Sequence, residues 1–313
     1  MSPLKIAILD DYQRVARSMA DWSEVEKFAE LHVFHDHEPD EDRVVERLLP
    51  FDVVCVMRER TPLPRSVIER LPRLRMIAST GPVNRSIDRR AAEERGISVM
   101  ATGYASQPAA EMTWALILGS VRHLADDAAS MRAGGWQTKL GGDLAGQTLG
   151  VLGLGRIGRQ VAAVGAAFGM HVIAWSQNLT VEKAAESGVR HVDKEELFRT
   201  ADILTVHVLL SSRTEGLVGE SELALMKRSA RLVNTSRGPI VNESALVAAL
   251  RRGELAGAAL DVYDQEPLPA DHPFRTLPNV LATPHVGYVT ESLYRTFYGD
   301  TVKNVLAWAA EHG

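Results

Sequence analysis

The chain has 313 residues and a mass of 34.3 kDa, which fits about two domains at roughly 150 residues each. Hydrophobic residues make up 45% and charged residues 24%, a globular composition. The 35 Lys+Arg against 40 Asp+Glu leave a net charge of -5, which excludes a strongly basic nucleic-acid binder while leaving room for local basic patches.

A single cysteine, Cys55, can form neither an internal disulfide nor a cysteine cluster for zinc or iron–sulfur. It fits a reducing compartment, so a cytoplasmic location is expected. The short apolar run after Met1 soon meets Asp10 and Asp11 with no basic region before it, so no signal peptide is expected. Glu, Arg or Asp interrupts every apolar stretch within 20 residues, and no transmembrane span is expected. No low-complexity tract or short-period repeat is visible.

Short β-branched runs alternate with longer helical patterns. Lys5–Leu9, Leu31–Phe34, Val53–Met57, Arg75–Ala78 and Ile97–Met100 read as strands, with helices at Pro64–Leu71 and Ser86–Arg95. These βα units imply a parallel sheet covered on both faces. One long helix is expected from Gln107 to Arg132. Pro108 suits its first turn and Gly134 and Gly135 end it.

A second series follows. Thr148–Leu152, His171–Trp175, Ile203–Val208, Arg231–Asn234, Ala258–Val262 and Val280–Ala282 read as strands. Ile157–Phe168, Glu220–Met226, Asn242–Arg252 and Thr290–Ala310 read as helices. The fold class is α/β.

The sharpest short motif is Gly153-Leu154-Gly155-Arg156-Ile157-Gly158, between an apolar strand and a helix. That context is the one a dinucleotide fingerprint requires. Gly153 allows the tight turn, Gly155 lets backbone approach a pyrophosphate, and Gly158 lets helix and strand pack closely. The helix N-terminus offers unpaired N–H groups to phosphates. The bland alternative is an ordinary glycine-rich turn. After the next strand, a carboxylate usually binds the adenosine ribose and favours NAD. Here the strand runs into Ser176-Gln177-Asn178, which can hydrogen-bond a ribose but does not repel a 2′-phosphate. NAD and NADP both stay open, with a lean to NAD because no local cation is supplied.

Three later residues follow strands. Arg237 lies in Asn234-Thr235-Ser236-Arg237-Gly238, Glu266 in Asp264-Gln265-Glu266-Pro267, and His285 in Thr283-Pro284-His285-Val286-Gly287. Arginine can hold a planar carboxylate with two parallel hydrogen bonds. Histidine can exchange a proton near neutral pH. Glutamate beside it fixes the tautomer and favours imidazolium. Each residue also has a plain structural alternative, as a surface ion pair, a solvated turn or a satisfied loop imidazole, and spacing alone does not bring the three together.

The ordered set GLGRIG (153–158), HVLLSSRT (207–214), NTSRG (234–238), DVYDQEP (261–267) and TPHVG (283–287) resembles the D-isomer-specific 2-hydroxyacid dehydrogenase family over nearly the whole chain. The resemblance implies a catalytic trio of Arg237, Glu266 and His285. It implies two Rossmann-like domains, with a cofactor domain at 103–287 inserted into a substrate (lid) domain at 1–102 plus 288–313. The long helix and the terminal helix would link them, and a homodimer is expected. Cofactor contacts carried over are Gly155, Arg156 and Ile157 at the phosphates, Ser176 and Gln177 by the ribose, and His207 and Thr214 beside the cofactor. Thr235, Arg237 and Asp261 lie toward the nicotinamide, and Thr113 near its ribose or phosphate. Asp261 has a structural alternative as an anchor for loop N–H groups.

The resemblance breaks at Gly81-Pro82-Val83-Asn84-Arg85-Ser86-Ile87-Asp88. Family members carry a second glycine where Val83 stands and an aspartate where Arg85 stands. Gly81 and Pro82 are carried over as substrate-loop residues with Arg237 and His285, yet Pro82 removes one amide donor, so the loop has a different shape. Arg85 is either a second anion anchor or a solvated cation. The segment 103–107 also departs from the family's asparagine-bearing stretch.

The implied chemistry is reversible reduction of a 2-oxoacid to a D-2-hydroxyacid with NAD or NADP and no metal. Arg237 holds the carboxylate, His285 donates the proton with Glu266 behind it, and domain closure excludes water. The alternatives are a dehydrogenase of a small anion such as phosphite or formate, and a non-catalytic NADH-responsive binding protein. A small-molecule substrate is expected, and neither nucleic acid nor membrane is expected as a partner.

Overall fold

Every strand expected from a β-branched run forms, and the ladders are parallel throughout. The computed structural model describes residues 3–312. They divide into two units, one made of the chain up to Ala105 together with the segment from Val289 onward, the other Ser106–Tyr288.

The first unit runs β1 (Leu4–Ile8), α1 (Ala16–Met19), α2 (Ser23–Glu26), β2 (Ala29–Val33), α3 (Glu41–Leu48), β3 (Val53–Val56), α4 (Arg65–Ile68), β4 (Met76–Ser79), α5 (Arg89–Glu94) and β5 (Ser98–Ala101). Its five strands lie in the order β2-β1-β3-β4-β5. Strands β3 and β4 are buried along their whole length, as strands covered on both faces must be. Asp88 caps α5 by accepting from the Ala91 N–H. The helix therefore starts after Asp88, not at Ser86, and Ile87 bridges to Leu63 instead.

The second unit contains α6 (Gln107–Val121), α7 (Leu124–Arg132), β6 (Thr148–Leu152), α8 (Arg156–Ala167), β7 (His171–Trp175), α9 (Val181–Ala185), β8 (Arg190–His191), α10 (Lys194–Thr200), β9 (Ile203–Val206), α11 (Glu220–Leu225), β10 (Arg231–Asn234), α12 (Glu243–Arg251), β11 (Gly257–Leu260) and β12 (Val280–Ala282). The final helix, α13 (Glu291–His312), belongs to the first unit. The single helix expected over Gln107–Arg132 is two helices. His123 takes a left-handed conformation (φ 53°) between them, which a right-handed helix cannot pass through. Asp126 and Asp127 then favour a fresh N-terminus at α7.

The second sheet is ordered β12-β11-β10-β9-β6-β7-β8. The chain starts at β6, builds outward through β7 and β8, and returns to the other side at β9, so the direction reverses between β6 and β9. Open α/β sheets bind ligands outside the strand C-termini at such a reversal. The registers pair Leu152 with Val206, Val206 with Asn234, Asn234 with Leu260 and Leu260 with Ala282. Gly153, His207, Thr235, Asp261 and Thr283 therefore leave the sheet side by side.

Among the described residues, no helix is long and apolar enough to cross a membrane, and no three His, Cys, Asp or Glu side chains cluster in a way that could hold a metal. Cys55 is buried, and burial pushes its thiol up to about 12.

Candidate active site

The glycine turn has the geometry its sequence implies. Gly153 adopts φ 103°, and a Cβ there would lie 2.7 Å from the Val208 nitrogen. A Cβ on Gly158 would lie 2.1 Å from the Gly153 oxygen, so α8 rests directly on the end of β6. Gly155 differs, because a Cβ there would meet nothing within 4 Å, and Gly155 and Arg156 are exposed while Ile157 is half-buried. Open backbone at a helix N-terminus suits a phosphate.

Beside the turn, His207 holds its backbone to Leu152 (2.8 Å), and its buried Nε2 has no hydrogen-bond partner among the described residues. Burial lowers its pKa to about 4, so the ring is neutral near pH 7. An open cradle and an orphaned polar atom fit a dinucleotide. Ser176 is half-buried and Gln177 exposed after β7. The Thr214 hydroxyl is occupied locally, accepting from the Ser211 N–H (2.8 Å) and donating to the Leu209 carbonyl (2.6 Å).

Thr113 is fully buried on α6. Its hydroxyl donates to the Ala109 carbonyl (2.8 Å) and lies 2.7 Å from the Thr235 hydroxyl. One hydroxyl carries one proton, so Thr235 is the donor to Thr113. Thr113 thereby braces the end of β10 from behind.

Arg237 sits three residues past β10. Asn234, 1% exposed, turns the chain there by accepting from the Ser236 N–H (3.0 Å) and donating to the Arg237 carbonyl (2.9 Å). The Ser236 hydroxyl ties the turn to the Val208 carbonyl (2.7 Å), and the Arg237 guanidinium donates to the Ser236 carbonyl (2.7 Å).

Glu266 and His285 meet directly. His285 Nδ1 lies 2.5 Å from Glu266 Oε2, and Glu266 Oε1 accepts the Tyr263 N–H (3.0 Å). The carboxylate accepts on both oxygens, so Nδ1 carries the proton and Nε2 is left for chemistry. The imidazole stands edge-on to Tyr288 (5.4 Å) and is 25% exposed. His285 holds φ 51°, an uncommon backbone state that concentrates at functional sites.

Asp261 supplies the restraint. Its Oδ1 accepts from the Thr283 hydroxyl (2.6 Å) and the Val286 N–H (2.9 Å), and its Oδ2 from the Gly287 N–H (2.7 Å). The loop-anchoring alternative is therefore the one seen in the geometry. Burial raises its carboxyl above the usual range, and these hydrogen bonds and the nearby His285 oppose that.

In the first unit, Gly81 takes φ 81°, and its N–H is already committed to the Thr102 hydroxyl (2.7 Å). Pro82 has no N–H, so neither residue offers a free amide. Arg58, which the sequence reading passed over, covers this turn. Its guanidinium donates to the Thr80 carbonyl (3.0 Å) and lies 5.5 Å from the Tyr104 ring, and a Cβ on Gly81 would collide with it. A basic residue directly after a strand, in Met57-Arg58-Glu59-Arg60, was the available signal. Asn84 is buried and donates to the Arg58 carbonyl (2.6 Å), while Arg85 is exposed.

With that turn and that imidazole–carboxylate pair on one sheet edge, the second unit has the build of a dinucleotide-binding Rossmann domain. Residues 114–287 match the family described as D-isomer specific 2-hydroxyacid dehydrogenase, NAD binding domain. A D-3-phosphoglycerate dehydrogenase from Methanocaldococcus jannaschii is 40% identical over 272 residues, covering 85% of this chain and 52% of that protein. A glyoxylate reductase from Aeropyrum pernix is 41% identical over 253 residues, covering 78% and 76%. The chain spans about half the length of the D-3-phosphoglycerate dehydrogenases it matches. The crystal structure of phosphoglycerate oxidoreductase from Vibrio cholerae O395 superposes with a TM-score of 0.93 at 38% identity, covering 98% of this chain and 99% of that one. The chain belongs to the D-isomer-specific 2-hydroxyacid dehydrogenase family and carries its NAD-binding domain.

Proposed function

We propose that this chain is an NAD(P)-dependent oxidoreductase that interconverts a 2-oxoacid and a D-2-hydroxyacid. The observation that carries the reading is the Glu266–His285 pair, which follows β11 and β12 on the sheet that bears the glycine turn, with Arg237 after the neighbouring strand β10. Gly155, Arg156 and Ile157 hold the dinucleotide phosphates on the turn that Gly153 and Gly158 shape, with Ser176 and Gln177 at the adenosine ribose. His207 and Thr235 lie along the row toward the nicotinamide, with Thr214 on the loop after β9 and Thr113 behind Thr235; the nicotinamide supplies or accepts a hydride when bound.

Arg237 pairs with the substrate carboxylate and polarises the C2 carbonyl. His285 donates its Nε2 proton to the alkoxide oxygen that forms at C2, and Glu266 stabilises the imidazolium before that step. In the oxidative direction His285 takes the proton back. The lean to NAD rests on the missing cation around Ser176–Asn178. A cytoplasmic location rests on the one buried thiol. A homodimer is supported by α7, none of whose residues is buried, and by the exposed Trp136 and Leu140 that follow it.

The test is a spectrophotometric matrix of NADH and NADPH against glyoxylate, hydroxypyruvate, pyruvate, phenylpyruvate and a branched oxoacid, with D-3-phosphoglycerate run in the oxidative direction. Oxoacid-dependent loss of NADH absorbance is expected. Binding of NADH without turnover, or turnover only with phosphite or formate, would overturn the reading. His285→Ala is expected to lower turnover by about 100-fold or more while NADH affinity changes little.

A further inference from the structure

The segment that carries Glu266 is tied down at its far end by a second imidazole–carboxylate pair. Glu243 is the first residue of α12, following the Asn242 cap. Its Oε1 lies 2.9 Å from His272 Nε2, and its Oε2 accepts the Asp264 N–H (3.3 Å). One carboxylate therefore grips both ends of the loop in which Glu266 lies.

The tautomer at His272 follows from its other bond. His272 Nδ1 accepts the Phe274 N–H (3.2 Å) and so carries no proton. The ring proton sits on Nε2 and is donated to Glu243. The pattern is opposite to that of His285, whose Nδ1 is the donor.

The grip is passed on through packed rings. The His272 ring lies 4.9 Å from that of Phe274, and Phe274 lies 6.3 Å from Tyr263. Tyr263 gives its N–H to Glu266 Oε1 (3.0 Å), and its hydroxyl lies 2.8 Å from the Thr283 carbonyl, two residues before His285. On its other side the Tyr263 main chain presses on Gly238, next to Arg237, where a Cβ would lie 2.0 Å from the Tyr263 carbonyl carbon.

We propose that Glu243 and His272 are positioning residues that set Glu266 against His285, an inference that rests on the reading of Glu266–His285 as the proton-transfer pair. Neither touches the reacting atoms, and both act through the loop. Two charged groups of the same loop lie by this pair: Asp264, whose N–H Glu243 holds, and Arg275, whose guanidinium caps the Leu268 and Pro269 carbonyls. Burial holds the Asp264 carboxyl above its usual range, Glu243 and Glu215 push the same way, and His272 opposes them.

The experiment uses the full chain with Glu243→Gln, His272→Asn and Asp264→Asn. Asparagine at position 272 keeps an oxygen to accept the Phe274 N–H but cannot reach Glu243. Glu243→Gln and His272→Asn are each expected to lower kcat about 10-fold and to move the alkaline limb of the pH profile down by roughly half a pH unit. NADH affinity should stay within about twofold, and the double variant should lose no more than either single one. Asp264→Asn keeps the backbone N–H and should retain the wild-type limb.

A wild-type pH limb in Glu243→Gln overturns the proposal. So does an unaffected His272→Asn beside an impaired Glu243→Gln, or the same limb shift in Asp264→Asn, which would trace the effect to charge relief. Carbon-13 labelling of the histidine rings reads the His285 titration directly in each variant. If the wild type turns over no oxoacid, the functional reading fails, and the ring signals still decide whether Glu243 and His272 position the pair.

Discussion

Arg237 is oriented before any substrate arrives, because Asn234 fixes its carbonyl and the guanidinium already donates to Ser236. A lysine at this position keeps the charge and loses the planar fork. Arg237→Lys is expected to lower kcat/KM for the oxoacid by about 10- to 100-fold, mainly through KM, with NADH affinity unchanged. An unchanged oxoacid KM would remove the carboxylate role. His207 makes a separate statement about pH. Its buried ring titrates at about 4 instead of 6.5, so the folded state takes up this proton later than the unfolded chain does. The stability it protects is complete above about pH 6.5 and is lost as pH falls toward 4, by at most about 3 kcal/mol. Urea midpoints should therefore fall less steeply between pH 6.5 and 4 in His207→Leu than in the wild type, and parallel slopes would refute the buried neutral ring. The strand-end positions of Arg237, Glu266 and His285 were legible in short motifs, but the motifs alone did not say that Glu266 meets His285, because that contact joins residues 19 apart across two loops. Arg58 also follows a strand, but its pose over the turn was not legible, since it depends on the missing side chain of Gly81, a residue far away in sequence.

Elements were legible wherever β-branched runs met turn residues. They were missed where the signal was a cap or a single backbone angle. Helix α3 begins because Asp40 accepts from the Arg43 N–H, and α10 because Asp193 accepts from Glu196. The break between α6 and α7 rests on His123 alone, in a stretch whose composition reads as continuous helix. The glycines of the β6–α8 turn separate two effects that the motif merges. Gly158→Ala drives a methyl group into the Gly153 carbonyl, and is expected to cost about 1–3 kcal/mol of stability together with dinucleotide affinity. Gly155→Ala meets open space, so its melting temperature should match the wild type while dinucleotide affinity falls about 10-fold or more. Equal affinity losses with equal destabilisation would mean that Gly155 is a folding residue. Thermal melts and NADH fluorescence titrations on the two variants decide this.

At the scale of the whole molecule, the apolar surface is uneven. Trp136 is 71% and Leu140 94% exposed, beside the exposed Leu124 and Met131. The segment is tied to α7 by polar bonds, from the Thr138 hydroxyl to the Asp127 carboxylate (3.0 Å) and from the Ser130 hydroxyl to the Trp136 carbonyl (3.1 Å). An ordered segment with its large side chains outward is what an association surface looks like. If the wild type sediments as the proposed homodimer, Trp136→Glu with Leu140→Glu should yield monomers in sedimentation velocity; an unchanged dimer mass would place the contact elsewhere, and a monomeric wild type would overturn the dimer proposal. The discontinuous first unit has a further outcome during synthesis. Helix α13 packs on β4 and α1 and buries Phe297 and Val305 completely, yet the whole second unit leaves the ribosome before it. At about 5–20 residues per second, the nascent β1–β5 sheet waits on the order of 10–40 s without its last helix. During that interval its bare apolar face is open to chaperones and proteases.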